Sequence, residues 1–350
     1  MKITIFLYSY NHEAFIAEAC DAVLDQDCDG DYEIILSDDA SSDRTFEIMQ
    51  AKAEAYRGNH RLVLNRNEKN LGITAHLNKI MAMGSGDWFI LCAGDDVSFL
   101  NRISVVVRQI QEYPRLMALY SGFEQIDESG RTLGYHGFDR TRPYVTGASG
   151  AWNRILFDFF GPIDEPTTAE DVVIPFRAML LGQLEMLNEP TVKYRLHSNS
   201  VSSPTNVDHL NSLKHLIKIK NNLGNAVRQR LRDLDAVGKT IPGEEYARLK
   251  TRHEELLELL ADQRKKLEKT VALYEACAGE RLAFLLGRNA QYKLIERLRL
   301  WAKTSRFCLK IHHVFKRQNR PAPQYDPDGA AVLIDHRDLL SDRHDVLIYL

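Results

Sequence analysis

Asp95 and Asp96 stand side by side at the end of an apolar run, in FILCAGDDVSFLNR, residues 89–102. Asp38 and Asp39 repeat the arrangement in EIILSDDASSDRT. Adjacent carboxylates repel, and at strand ends they are partly dehydrated, so their convergence calls for a cation. Oxygen donors suit Mg²⁺ or Mn²⁺. A divalent ion with open positions in turn attracts a diphosphate. Helix capping accounts for Ser41, Ser42 or Asp43, but not for Asp38, Asp39, Asp95 and Asp96 together. A third acidic pair, Glu170-Asp171, follows Thr167 and Thr168 at a predicted helix start, and a later strand ends at His197.

The elements that must position these groups alternate over the first ~125 residues. Strands ITIFLYS, YEIILS, RLVLN and DWFILC are followed by predicted helices over 12–26, 43–57, 72–83 and 99–112. Short apolar runs joined by helices of this length predict parallel strands with crossovers, an α/β doubly wound, mostly parallel sheet. Ligands bind beyond the carboxyl ends of such strands. The tips there are Ser9-Tyr10-Asn11-His12-Glu13, Ser37 to Asp43, NRNEKNLG (65–72, with Asn70) and Gly94-Asp95-Asp96. Further on, LMALYSGFEQID predicts a strand. RTLGYHGFDRTRPYVTG predicts an irregular connection beside the site, and 148–158 a short helix bearing Trp152, which reads as core.

The order of motifs resembles the family 2 glycosyltransferases. The pieces are LYSYNHEAFIAEACDAVLDQ, EIILSDDASSDRT, NLGITAHLNKIMAMGSGDWFILCAGDD, GPIDEPTTAED, FRAMLLG and YRLHSNSVS, spanning residues 1 to about 205. The resemblance implies a GT-A-like fold, a nucleoside-diphosphate sugar as donor (a UDP-sugar foremost), and Mn²⁺ or Mg²⁺. It places Ser9, Tyr10 and Asn11 against the nucleotide base, Asp38 on the base with Asp39 beside it, and Asn70 in the donor site. Asp95-Asp96 matches the Asp-x-Asp element that binds metal and ribose; which of the two takes which stays open. Asp171 matches the catalytic base, with Glu170 its neighbour near the acceptor. His197 matches a histidine that completes the metal site, and Arg195 lies where it approaches the diphosphate. The chain departs from the pattern at Ala93, where many relatives carry an acid, and it has no Gln-x-x-Arg-Trp element after Asp171. That second departure implies transfer of one sugar per encounter. One base and no protein nucleophile imply inversion at the anomeric carbon.

The 350 residues are 44% hydrophobic and carry a net charge of −3, so a large core is expected and a nucleic-acid partner is not. Five scattered cysteines without a CxxC pair predict reduced thiols, with Cys20 and Cys28 as buried helix residues. Without an N-terminal leader or a run of 18 apolar residues, a cytoplasmic protein is expected, free or peripheral at the cytoplasmic membrane face.

After the catalytic domain (1–205), helical spacing predicts a hairpin over 206–278, packed intramolecularly or used for homo-oligomerisation. His253, Gln263 and Thr270 interrupt its heptads. Residues 279–320 form a basic amphipathic segment. Within 281–320 there are eleven Lys or Arg and one acid, Glu296, which makes +10 locally and leaves −13 for the remainder. Arg299, Lys303, Arg306, Lys310 and Arg317 share one helical face, opposite Leu294, Leu298, Trp301, Cys308 and Phe315. Such a pattern suits an anionic membrane surface, useful to an enzyme of bacterial surface polysaccharide synthesis with a glycan or lipid-linked acceptor. Residues 321–350 form a tail. Two other classes fit parts of the pattern: a non-catalytic sugar-nucleotide-binding scaffold, against which the acidic pairs argue, and a nucleotidyltransferase, which would show a Gly-rich phosphate loop absent from residues 1–30.

Overall fold

Alternation in the first strands sends Ile3, Ile5 and Leu7 to one side and Phe6 and Tyr8 to the other, so both faces of the sheet must be covered. In the computed structural model, which describes residues 1–28, 30–137, 145–165, 167, 169–197, 209–275 and 332–335, they are. The elements are β1 (Ile3–Ser9), α1 (Ile16–Leu24), β2 (Tyr32–Asp38), α2 (Thr45–Ala55), β3 (Arg61–Arg66), α3 (Ile73–Met83), β4 (Trp88–Ala93), β5 (Val97–Ser98) and α4 (Arg102–Glu112). There follow β6 (Leu116–Ile126), β7 (Thr132–His136), β8 (Gly150–Asn153), α5 (Ile155–Phe160), α6 (Glu170–Leu181), β9 (Gln183–Arg195), α7 (His209–Val237), α8 (Gly243–Glu275) and β10 (Val332–Asp335).

The strands run in the order β10-β9-β6-β8-β4-β1-β2-β3, with β5 on β9 and β7 on β6. Neighbours β4, β1, β2 and β3 are parallel, as are β6 and β9, whereas β8 lies antiparallel between β4 and β6. Ile5, Leu7, Ile34, Leu36 and Ile90 pack with α1, α2 and α4 on one face. Phe6, Ile35, Phe89 and Leu91 pack with α3, α5 and α6 on the other. This is the α/β, GT-A-like doubly wound sheet that the alternation and the motif order predict, followed by helices. Three local expectations fail. Trp152 lies on β8 rather than on a helix, because an edge left between β4 and β6 must be filled; its indole N–H donates to the Tyr120 hydroxyl at 3.1 Å in the core. Residues 132–136, expected to be irregular, pair with β6 as β7. Among the cysteines, Cys20 is buried on α1, but Cys28 is half-buried beyond the helix end.

The helical hairpin contributes to both compact units. One unit holds the sheet together with residues 225–254; the other holds, among the described residues, 209–224 and 255–275. In the first, α6 is clamped by the end of α7. The Arg177 guanidinium makes two bonds to Asp233, at 2.8 and 3.2 Å, and donates to the Gly161 carbonyl at 2.8 Å, while Gln229 also donates to Asp233. His253, off-pattern for a coiled coil, packs its ring 4.9 Å from that of Phe176. In the second unit Lys214 pairs with Glu275 at 2.7 Å and Arg264 donates to Asn221 at 3.1 Å, so the two helices run antiparallel. The basic segment 279–320 lies outside the described residues, as do 321–331 and 336–350 of the tail. Among the described residues no helix is long and apolar enough to cross a membrane.

Arg177 and Asp233 are 0% and 2% exposed. Asp233→Ala strands a buried guanidinium, and its expected cost is about 3–5 kcal/mol, read as a lowered urea midpoint. Arg177→Met with Asp233→Leu should recover much of that loss; an unchanged midpoint in the single variant would remove the clamp from the account of stability.

Candidate active site

The β1 and β2 tips are zipped together before any ligand is considered. Asn11 adopts a left-handed conformation (φ 55°), which asparagine tolerates better than most residues. There its N–H donates to the Ser41 hydroxyl at 2.9 Å, and its side-chain oxygen accepts the Ser42 N–H at 2.9 Å. Asp38, fully buried, accepts from the Ser41 N–H at 3.0 Å and from the Ser41 hydroxyl, and faces Arg66 at 3.5 Å. Asp39 turns the other way. It accepts from Asn67 at 2.7 Å and from the backbone N–H groups of Leu71 and Gly72, each at 2.9 Å, so it anchors the loop that presents the exposed Asn70. Ser9 is buried, and Tyr10 stands out at 44% exposed.

Gly94 follows β4 because a side chain does not fit: a Cβ there would stand 2.4 Å from the Ser9 hydroxyl and 2.8 Å from His12 Nδ1. This close approach sets Asp95 beside two histidines. Its Oδ2 lies 3.0 Å from His197 Nε2 and 3.8 Å from His12 Nε2. His12 is itself oriented by a 3.1 Å contact between Nδ1 and the Ser9 hydroxyl. Burial lowers the His12 pKa, opposed by the Asp95 charge. Burial alone would raise Asp95, but the His197 hydrogen bond and the neighbouring His12 hold it below the ordinary carboxylate range.

Asp96 behaves differently. It is buried, and its Oδ1 accepts the Arg195 backbone N–H at 2.8 Å. Burial first, and the Asp95 charge second, push its carboxyl well up. The Arg195 side chain lies beneath the loop, 2% exposed. It donates to the Asp95 carbonyl at 2.9 Å, to the Asp127 and Glu128 carbonyls, and to Glu18 at 2.6 Å. The guanidinium expected near a diphosphate is thus engaged in pinning the loop that carries Asp95.

Glu170 and Asp171 open α6, where the helix dipole favours negative charge. The Glu170 side chain comes close enough to Gly147 that a Cβ there would stand 2.4 Å from Oε1. Burial raises Glu170 to about 8, with the Asp171 charge adding to it, and burial raises Asp171 to about 6. Arg230 of α7 acts against this rise. Pro175 has no N–H for the Asp171 carbonyl one turn back. In this opened turn Arg230 Nε reaches the Val172 carbonyl at 2.8 Å. Burial, followed by the charges of Glu170, Asp95 and Asp96 and by Tyr194, raises the Tyr8 phenol.

Three participants were not expected from the sequence. His12 sits in the quoted β1 tip, but nothing there pairs it with Asp95. Tyr8 reads as an ordinary strand residue. Arg230 lies about sixty residues from Asp171 in a different helix, with no local signal.

As a fit test for a metal, among the described residues no group of three or more His, Cys, Asp or Glu side chains converges on one point. Asp95 and His197 nevertheless fit a divalent ion. Two neighbouring ligands of an octahedral ion with bonds of about 2.1 Å lie about 3 Å apart, the separation of Asp95 Oδ2 and His197 Nε2. Mg²⁺ characteristically takes few protein ligands and completes its shell with water and substrate phosphate.

The sheet thus carries a carboxylate–histidine pair beyond β4 and an acidic pair at the start of α6. The sequence model of Glycosyl transferase family 2 matches residues 4–180, and the chain belongs to that family. Among its relatives, Putative glycosyltransferase EpsE of Bacillus subtilis is 31% identical over 129 residues, 37% of this chain and 45% of that protein. The match thus spans less than half of that relative's length. An uncharacterized glycosyltransferase of Haemophilus influenzae is 26% identical over 242 residues, 61% of this chain and 71% of its own. Among solved structures, S. aureus TarS 1–349 in complex with UDP superposes with a TM-score of 0.51 at 17% identity, covering 89% of this chain and 83% of that one. At that identity the likeness establishes the fold.

Proposed function

We propose that the chain is a metal-dependent, inverting, non-processive glycosyltransferase. It moves one hexosyl group from a nucleoside-diphosphate sugar, a UDP-sugar foremost, to a hydroxyl of a glycan or lipid-linked acceptor in bacterial surface polysaccharide synthesis. The observation that carries this reading is the Asp95–His197 pair at 3.0 Å. The TarS neighbours, in complex with UDP or with UDP-GlcNAc, support the donor class.

Asp171 takes the proton of the acceptor hydroxyl as its oxygen attacks the anomeric carbon. The bond from that carbon to the diphosphate oxygen breaks, and its electron pair leaves with the diphosphate. Asp95 and His197 would hold Mn²⁺ or Mg²⁺, which when bound would supply positive charge to offset that of the departing diphosphate. Asp96 and Arg195 keep the Asp95 loop rigid. Asp38, Asp39 and Asn11 shape the floor on which the base and ribose rest, with Ser9, Tyr10 and Asn70 around it.

A panel of nucleotide sugars, assayed for hydrolysis with Mn²⁺ or Mg²⁺ titrated in, tests the reading. Metal-dependent release of UDP from at least one UDP-sugar is expected; turnover unchanged by chelation would overturn the metal dependence.

Residues 281–320 support a second part of the proposal, peripheral association with the cytoplasmic face of an anionic membrane. Each basic residue near such a surface contributes about 1 kcal/mol. Co-sedimentation with anionic vesicles should weaken as salt rises and fall when Arg299, Lys303, Arg306 and Lys310 become Glu. A chain that ignores those vesicles at low salt has no such attachment.

A further inference from the structure

The sheet carries an aromatic face that the donor chemistry does not use. At the β6-β7-β9 end, the Phe123 and His136 rings are stacked at 4.9 Å with an interplanar angle of 15°. Tyr194 lies against Phe123 at 5.3 Å, tilted by 57°. The pairing explains the cluster: Phe123 is opposite His136, and Gln125 is beside both Tyr194 and Gly134. The adjoining residues Glu124 and Ile126 are buried on the reverse face, while Phe123, Gln125, His136 and Tyr194 are half-buried. A Cβ on Gly134 would meet nothing within 4 Å, so the face opens beside the ring stack. Burial lowers the His136 pKa, which favours an uncharged ring at neutral pH. The face adjoins the Asp95 loop along β9: the residue after Tyr194, Arg195, gives its backbone N–H to Asp96 at 2.8 Å, and His197 lies 3.0 Å from Asp95.

We infer that Phe123, His136 and Tyr194 form the acceptor platform, stacking the sugar ring that precedes the reacting hydroxyl of a glycan acceptor. A flat ring stack takes the C–H face of a pyranose. The Gln125 amide, whose oxygen lies 3.4 Å from His136 Nε2, has its amide N–H groups to offer the ring hydroxyls, and the open space at Gly134 gives them room. The inference rests on the transferase reading above and names the acceptor class of that same site.

The test uses the full chain, the tritiated form of whichever UDP-sugar the panel selects, and delipidated cell-envelope glycan as acceptor. Label transferred to glycan is compared with label released to water. Phe123→Leu keeps apolar bulk but removes the ring face. It is expected to raise the half-saturating glycan concentration about tenfold while hydrolysis to water continues at the parental rate, and Phe123→Tyr should restore transfer. An unchanged partition in Phe123→Leu overturns the platform. So does equal loss of hydrolysis and transfer, which marks a merely structural ring. Loss in Phe123→Ala but not in Phe123→Leu indicates an apolar, non-carbohydrate occupant and also overturns it. Failure of the parental chain to turn over any donor removes the transferase reading itself, a result distinct from all of these.

Discussion

Asp171→Asn is expected to lower sugar transfer by about 100-fold or more while donor binding survives, the usual scale for a lost general base. Asparagine keeps the shape of the side chain and removes the proton acceptor. The pH profile of the parental enzyme carries the same assignment. Burial raises Asp171 to about 6 and Glu170 to about 8, so at neutral pH the first is ionised and the second protonated. Two neighbouring carboxyls thereby hold different charge states, as acid–base sites require. The base works only when ionised, so kcat/KM should fall as pH drops through about 6, well above the ordinary aspartate range. Arg230 lowers the Asp171 pKa, so Arg230→Met should move that acid limb upward. Parental transfer in Asp171→Asn, or a limb near pH 4, would take Asp171 out of the mechanism.

Asp95→Ala should abolish the metal dependence of diphosphate binding and reduce transfer by about 100-fold or more, which corresponds to about 2.7 kcal/mol of lost transition-state stabilisation. Calorimetry with UDP, with and without Mn²⁺, separates this effect from misfolding. The parent should bind UDP more tightly with Mn²⁺, whereas the variant should bind equally with and without it. Asp96→Ala is expected to fail in another way, because Asp96 accepts the Arg195 N–H under the loop: metal-dependent binding weakens together with thermal stability. His197→Ala should lie between the parent and Asp95→Ala in metal affinity. Undiminished metal-dependent binding in Asp95→Ala would move the cation elsewhere.

Much of this molecule is determined by local pattern. The alternation in ITIFLYS and its three companion strands, with crossovers of helical length, suffices for a doubly wound sheet, and that topology brings the strand tips to one edge. Residue order along the chain was enough to put Asp38, Asp39, Asp95 and Asp96 at strand ends and Glu170 and Asp171 at a helix start, because such turns are local events. What each side chain faces is not local. Asp38 and Asp39 read alike in the sequence, yet one is folded under Ser41 and the other anchors Leu71 and Gly72. Asp95 and Asp96 also read alike; a backbone N–H on β9, about a hundred residues away, takes Asp96 and leaves Asp95 to the histidines. Arg195 reads as a cation for the diphosphate but lies under the loop, where the carbonyls of Asp95, Asp127 and Glu128 and the Glu18 carboxylate surround it with acceptors. Arg230 reaches Val172 only because α7 packs back along α6. Burial and partnership arise when distant segments meet, and the same contacts set the ionisation of the carboxylates. The sequence by itself therefore determines where the reactive groups stand along the chain, while the tertiary structure decides which of them carry charge and which brace the site.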